Sequence, residues 1–264
     1  MPRRGRAFTL HELIVVILII IVLIAILLPA VSTGHGRSRM VRCASNLRQM
    51  GVAMVFYQNA NRGAFPRTRA SIEPATGTER VPVWGSGAAA TQPFAADGPA
   101  PNDVTAALFL LMRTPTVKLP PLVFVCPASN QVADPLAGDG TQPPLRSNFT
   151  DVKKHLSYSY QNVYPSNAVI AATVGLKMGP FNYSTYALVA DKNPGAAGGN
   201  SLNHDLKGQN VLYGDGHVNW VRTPLAGQVI PPATAPDNIY NTRDGRIVAS
   251  PADLRGDNIL LPTD

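Results

Sequence analysis

Cysteine is scarce in this 264-residue chain, with only Cys43 and Cys126 present. Two thiols are too few for a structural zinc ribbon of the Cys₄ kind. Charge is scarce as well, at 15% of residues. The net +7 is spread over many segments, with no basic patch interleaved with aromatics, so the chain lacks the footprint of a nucleic-acid binder. There is no G-x-S-x-G elbow, which removes the usual support for Ser-His-Asp hydrolysis. EF-hand spacing is missing too, and no internal repeat points to a solenoid. Glycine and proline, by contrast, are plentiful. The 22 Gly and 24 Pro make about 17% of the chain against a usual ~12%, which implies many turns and argues against a compact enzyme of regular βα units.

The longest apolar run lies at the N-terminus. Leu13–Leu28 contains no polar residue, and Phe8–Val31 is interrupted only by Thr9, His11, Glu12 and Pro29. About 20 residues at ~1.5 Å each cross a hydrocarbon core, so the run suits a membrane helix or a long signal segment. A cleaved secretory signal would use Arg3, Arg4 and Arg6 as its basic region and Ala30-Val31-Ser32 as its cleavage site. A plain signal anchor would use the same arginines, but Arg37, Arg39 and Arg42 flank the far side as heavily. Neither explains Glu12. An ionised carboxylate inside an apolar span costs up to about 2.5–3.5 kcal/mol, less near its end.

A third reading does. Arg6-Ala-Phe-Thr-Leu-His-Glu-Leu13 resembles the processing site of type IV prepilins and type II secretion pseudopilins. The resemblance implies a leader (residues 1–7) cut between Ala7 and Phe8 by prepilin peptidase, with N-methylation of Phe8. Ala7 stands where Gly is usual, and His11 precedes the acid. Glu12 becomes the fifth mature residue, the family's assembly residue, and Pro29 falls where the family carries its helix-loosening proline. Loss of Arg3, Arg4 and Arg6 would take the net charge from +7 to +4. The chemistry is coherent: a new α-amino group and a neighbour's Glu12 carboxylate are each expensive in lipid and tolerable as a pair. The resemblance further implies a single-pass protein of the inner (cytoplasmic) membrane with its head on the exported side. Its partners would be like subunits in a helical filament and an inner-membrane assembly platform, with no nucleic acid and no enzymatic activity.

Beyond the membrane run, Met40, Cys43, Leu47, Met50, Met54 and Tyr57 recur at three- and four-residue steps, one stripe of a helix. Asn59, Asn61 and Gly63 favour a stop near residue 60, so the helix spans 8–60 and runs about 75 Å. The remainder, 61–264, reads as a head. Residues 61–103 form a long excursion, and Val104–Met112 is a short helix capped by Asn102 or Asp103. Half-buried strands are expected at Leu122–Cys126, Ser157–Gln161 and Tyr186–Ala190, and a hairpin at 210–221 around Gly214-Asp215-Gly216. The fold expected is α+β: a long helix on an antiparallel sheet built largely from 122–221, with 61–103 and 222–258 outside it. Cys43 on the buried stripe and Cys126 at a strand end beneath it make a disulfide in an oxidising compartment; the alternative is two buried free thiols.

The head carries a second resemblance. His204 and the later Asp215-Gly216 are similar to the signature of a large prepilin-type group named for a His, a nine-residue gap and Asp-Gly, although residues 205–214 make the gap one longer. Cys43-Ala-Ser-Asn-Leu47, Cys126-Pro127, Ser157-Tyr158, Leu188–Asp191 and Asp237–Tyr240 fit the same group. Pseudopilin heads of the major type hold Ca²⁺ in a C-terminal loop. The resemblance therefore implies no cofactor beyond a structural Ca²⁺, for which Asp191, Asp215, Asp237 and Asp244 are the candidate ligands. A competing function is a membrane-anchored exported enzyme or metal-binding protein using His204, Asp215 and His217. The bland reading of that cluster is that Asp215 caps its own turn while His204 bonds to the hairpin backbone.

The processing motif generates the first prediction. Intact-mass measurement on membrane fractions should show a chain beginning at Phe8 and carrying one methyl group. A start at Thr33, or retention of Met1, would contradict it.

Overall fold

The computed structural model describes residues 8–71, 81–114, 118–136, 145–164, 184–195, 199–229, 232–241 and 259–263, and the side chains of 29–35 lie outside that description. The chain divides into two compact units, Met1–Arg39 and Met40–Asp264, and helix α1 (Leu10–Ala60) contributes to both. The α1 backbone is helical through Pro29, Gly34 and Gly36. In the first unit, Leu10–Leu28 is a 19-residue stretch of mean hydropathy 3.2 with every side chain exposed, long and apolar enough to span a membrane.

The second unit is mixed α and β. Strands β1 (Tyr158–Gln161), β2 (Ala187–Asp191), β3 (Gln209–Tyr213), β4 (Val218–Val221) and β5 (Leu260–Leu261) form one sheet in the order β4-β3-β2-β1-β5. All four pairings are antiparallel, with Tyr158 opposite Asp191 and Asn210 opposite Trp220. The first four strands follow sequence order as a meander, while β5 closes the free edge of β1.

The stripe on α1 is buried as its spacing requires. Cys43, Leu47, Met50 and Met54 have no exposure, Met40 and Tyr57 are partly buried, and Arg39, Arg42 and Arg48 face solvent. These residues share one core with Tyr158, Tyr160, Leu188, Leu212 and helix α2 (Val104–Arg113). Contact is close at Gly51, where a Cβ would come 3.0 Å from Leu212 Cδ1, so a larger side chain would overpack the interface. The helix stops as its residues direct: Asn61 Nδ2 donates to the Tyr57 carbonyl, and Gly63, at φ 81°, donates its N–H to the Gln58 carbonyl. Asp103 caps α2, accepting from the Ala106 amide at 2.8 Å, and α3 (Val152–His155) is capped by Asp151.

Three expectations are corrected. Leu122–Cys126 is not a strand: Pro121–Phe124 forms a 3₁₀ turn, because Pro120 and Pro121 fix φ and remove the donors a ladder needs. Strands β1 and β2 are buried on both faces rather than half-buried, and β3 is buried on both faces as well. The cause is the third correction, since the 222–258 region is not wholly outside the sheet. Ile239 and Tyr240 pack on its second face with Ala187, Ala190, Val211, Tyr213 and Leu260. The Tyr240 hydroxyl also donates to the Asp191 carbonyl at 2.6 Å.

Cys43 and Cys126 are bonded, with Cα atoms 5.2 Å apart and a sequence separation of 83. A ring of that length contributes about 4–5 kcal/mol in the chain-entropy account. The double variant Cys43→Ala/Cys126→Ala should lower the unfolding free energy of the head by about that amount. Denaturant titration followed by near-ultraviolet circular dichroism measures it, and an unchanged midpoint would show that the bond adds nothing.

Candidate functional site

Two places in the chain hold the residues that the sequence singled out. The first is the start of α1. Ala7 lies outside the described residues, and Phe8 is 73% exposed. Thr9 and Glu12 close a capping box: the Glu12 carboxylate accepts from the Thr9 amide and hydroxyl, each at 2.9 Å, and the Glu12 amide donates to Thr9 Oγ1 at 3.3 Å. The T-x-x-E spacing that announces this box is present in the sequence and was missed beside the stronger processing motif. Pro29 sits within α1.

The second place is deep in the head, where β2, β3, α1 and two turns meet. Asp191 ends β2 with no exposure. One of its oxygens accepts from Asn203 Nδ2 at 3.1 Å; the other accepts from the Asn210 amide at 2.7 Å and Asn210 Nδ2 at 3.3 Å. His204 Nε2 lies 3.4 Å from Asp191 Oδ2, 3.4 Å from Cys126 Sγ and 3.5 Å from Asn210 Nδ2. The oxygen and nitrogen contacts are longer than the ordinary 2.7–3.2 Å, so this buried ring nitrogen has several polar neighbours and no close one. Trp220 meets the imidazole edge-on at 5.2 Å between ring centres. One ligating atom from each of Cys43, Cys126, Asp191 and His204 lies within 4.8 Å of the others.

A strained turn brings His204 here. His204, Asp205 and Leu206 have φ of 57°, 58° and 60°, a run of left-handed residues without a glycine among them. L-residues pay roughly 1–2 kcal/mol each for that conformation. Asn203 Nδ2 anchors the turn on the Ser157 carbonyl at 2.8 Å, and Asn200 Nδ2 binds the Leu206 carbonyl at 3.0 Å. Gly208 follows at φ 150°, where a Cβ would strike the Val221 carbonyl oxygen at 2.4 Å. Leu202 and Leu206 are about half exposed while His204 points inward.

The sequence cluster thus separates into two. Asp215 and His217 form their own pair at the exposed hairpin tip, with the His217 ring stacked on Tyr213 at 4.5 Å. Asp215 accepts from the His217 amide at 3.1 Å, as its turn-capping reading requires. Partial burial works to raise the Asp215 pKa, but the His217 hydrogen bonds and charge outweigh it and hold the carboxyl below its usual range. His204 does not bond to the hairpin turn as expected; it faces Cys126 and Asp191. Nor are the three described candidate Ca²⁺ ligands, Asp191, Asp215 and Asp237, grouped together. Asp191 groups with a histidine and two cysteines, Asp215 is at the hairpin tip, Asp237 binds the Gln228 carbonyl through its amide, and Asp244 lies outside the described residues. Asn203 and Asn210, which orient Asp191, were not foreseen; Asn210 is a buried amide directly before the apolar run Val211–Tyr213, and that anomaly was the available signal.

No protein-family model, curated protein or solved structure matches the chain.

Behind the cluster, Asn46 Nδ2 donates to the Val125 carbonyl at 3.0 Å and to the Tyr158 hydroxyl at 3.3 Å, one turn along α1 from Cys43. Burial, followed by the Asp191 charge, raises the Tyr158 pKa well above the phenol range despite that hydrogen bond. Tyr160 is raised likewise by burial, and Tyr164 is pushed up to about 12, also chiefly by burial. The folded state therefore prefers these phenols neutral. That contribution is complete below pH 10, the unfolded value, and is lost as pH rises through the raised folded values, about 12 for Tyr164. Alkaline titration should show the three phenols ionising together with loss of near-ultraviolet dichroism. Ionisation near pH 10 in a folded head would contradict it.

Proposed function

We propose that the chain is a prepilin-type subunit of a filament resembling a type IV pilus or a type II secretion pseudopilus. The single observation that carries this reading is Leu10–Leu28: a nineteen-residue exposed helix, apolar throughout from Leu13 to Leu28, with Glu12 in its first turn beside His11. Such a surface requires lipid or other helices around it. A helix used only as an anchor gains from Glu12 no more than its capping box with Thr9, whereas a subunit that packs beside like helices also gains a partner for a neighbour's amino terminus.

In this reading prepilin peptidase removes residues 1–7 and Phe8 is methylated. Thr9 holds the Glu12 carboxylate in its capping box while the subunit is alone in the bilayer, limiting the cost of the charge. On assembly the carboxylate passes to the α-amino group of an adjacent Phe8, and the apolar helices form the filament core. The head stays on the exported side, where an oxidising compartment keeps Cys43 and Cys126 bonded. The inner membrane and its assembly platform are the remaining partners.

Glu12→Ala and Glu12→Gln should leave membrane insertion and cleavage intact but reduce cysteine-crosslinked or sheared filament by at least about tenfold, the scale of an unpaired charge left in lipid. His204→Ala should leave the filament yield unchanged. Normal assembly of both Glu12 variants would reject the subunit reading in favour of an anchor.

A further inference from the structure

The filament reading makes no use of the buried Asp191–His204 pair, and a disulfide has no need of a carboxylate and an imidazole aimed at it. We infer that Cys43, Cys126, Asp191 and His204 are one two-state site: a disulfide when oxidised, and a binding site for a zinc-class divalent cation when reduced.

The donor set is appropriate. Zinc takes four ligands from thiolate, imidazole and carboxylate in a tetrahedron. Here four such groups from α1, the 126–128 turn, β2 and the 203–206 turn offer atoms within 4.8 Å of one another, all buried. Tetrahedral Zn–S bonds of ~2.3 Å set two sulfurs about 3.8 Å apart, a separation that side-chain rotation reaches from Cα atoms 5.2 Å apart. His204 Nε2 already faces both groups, at 3.4 Å from Cys126 Sγ, a hydrogen-bond distance for sulfur, and at 3.4 Å from Asp191 Oδ2, longer than an ordinary hydrogen bond to oxygen. The surroundings match those of a metal ligand set. Asn203 and the Asn210 amide orient the carboxylate, and the Ala128 amide aims at Cys126 Sγ at 3.4 Å, a donation that suits a thiolate.

The chemistry balances. A dithiol reductant supplies two electrons and two protons, becomes a disulfide itself, and leaves Cys43 and Cys126 as thiols. Zn²⁺ then displaces both thiol protons to solvent. The buried set carries one negative charge with two thiols, a neutral imidazole and a carboxylate. It carries the same charge with two thiolates, the carboxylate and Zn²⁺, so the exchange adds no net buried charge.

The test uses the full chain in detergent, reduced with a phosphine, with Zn²⁺ and Co²⁺ as probes. One equivalent should bind per reduced chain, with a thiolate-to-cobalt charge-transfer band, and none should bind to the oxidised chain. Zn²⁺ should slow alkylation of Cys43 and Cys126, and if reduction loosens the fold, Zn²⁺ should restore its near-ultraviolet dichroism. His204→Ala should weaken binding about tenfold or more, while His217→Ala at the hairpin tip should not change it. The inference is overturned if the reduced wild-type chain takes up no cation, if the cobalt adduct lacks the thiolate band, or if Zn²⁺ neither protects the thiols nor restores the fold. Equal affinity in His204→Ala would overturn it as well. Because these readouts do not involve filaments, they stand or fall separately from the Glu12 experiments.

Discussion

Burial of the Asp191 carboxylate is the constraint around which the head is arranged. Asp191 sits at the end of the central strand with no water to solvate its charge, so every neighbour must supply a donor. The 199–208 turn contributes Asn203, and β3 contributes both the amide and the side chain of Asn210. The main chain at the same residue accepts the Tyr240 hydroxyl, which fixes the covering segment on the second face of the sheet. Removing one donor would leave a charge desolvated rather than a contact merely lost, so the arrangement is cooperative. The strain of three left-handed residues is tolerable in that setting, because the turn that bears it also delivers Asn203 and His204.

Features governed by neighbouring residues were legible in the sequence. The stripe from Met40 to Tyr57, the Asp103 cap and the hairpin around Asp215-Gly216 all follow from spacing over a few residues. The disulfide followed from combining the stripe with a nearby end of an apolar segment, even though that segment proved to be a 3₁₀ turn. Features set by distant residues were not legible. Strand β5 exists because Leu260 and Leu261 find the open edge of β1, and nothing near them in sequence announces that edge. Ile239 and Tyr240 look like loop residues until the second face of the sheet is in place. The four groups Cys43, Cys126, Asp191 and His204 come from four elements, and their separation in sequence hid the grouping. Proximity along the chain instead suggested His204 with Asp215, which the turn geometry separates.

The two functional regions therefore have opposite characters. The start of α1 is a local motif, in which Thr9, Glu12 and the apolar run lie within a few turns and can be read without a fold. The cluster in the head is assembled only by the fold and is invisible without it. A resemblance drawn on the N-terminal motif speaks to how the apolar segment meets a membrane. It says little about the head, whose polar interior follows its own requirements.

The position of the covalent bond has a mechanical consequence. Within the second unit, tension on α1 from Met40 onward reaches Cys43 within the next turn of helix. From there it passes through sulfur to Cys126 beside the sheet, without relying on the packing of Leu47, Met50 and Met54. Chain inside the ring, a separation of 83 residues, cannot be paid out under load, which removes about 280 Å of contour at roughly 3.4 Å per residue from any forced extension. The end of the helix, the long excursion and α2 all lie within that ring. A pulled chain would therefore extend elsewhere, and the residues inside this ring would not lengthen it for as long as the sulfurs stay joined.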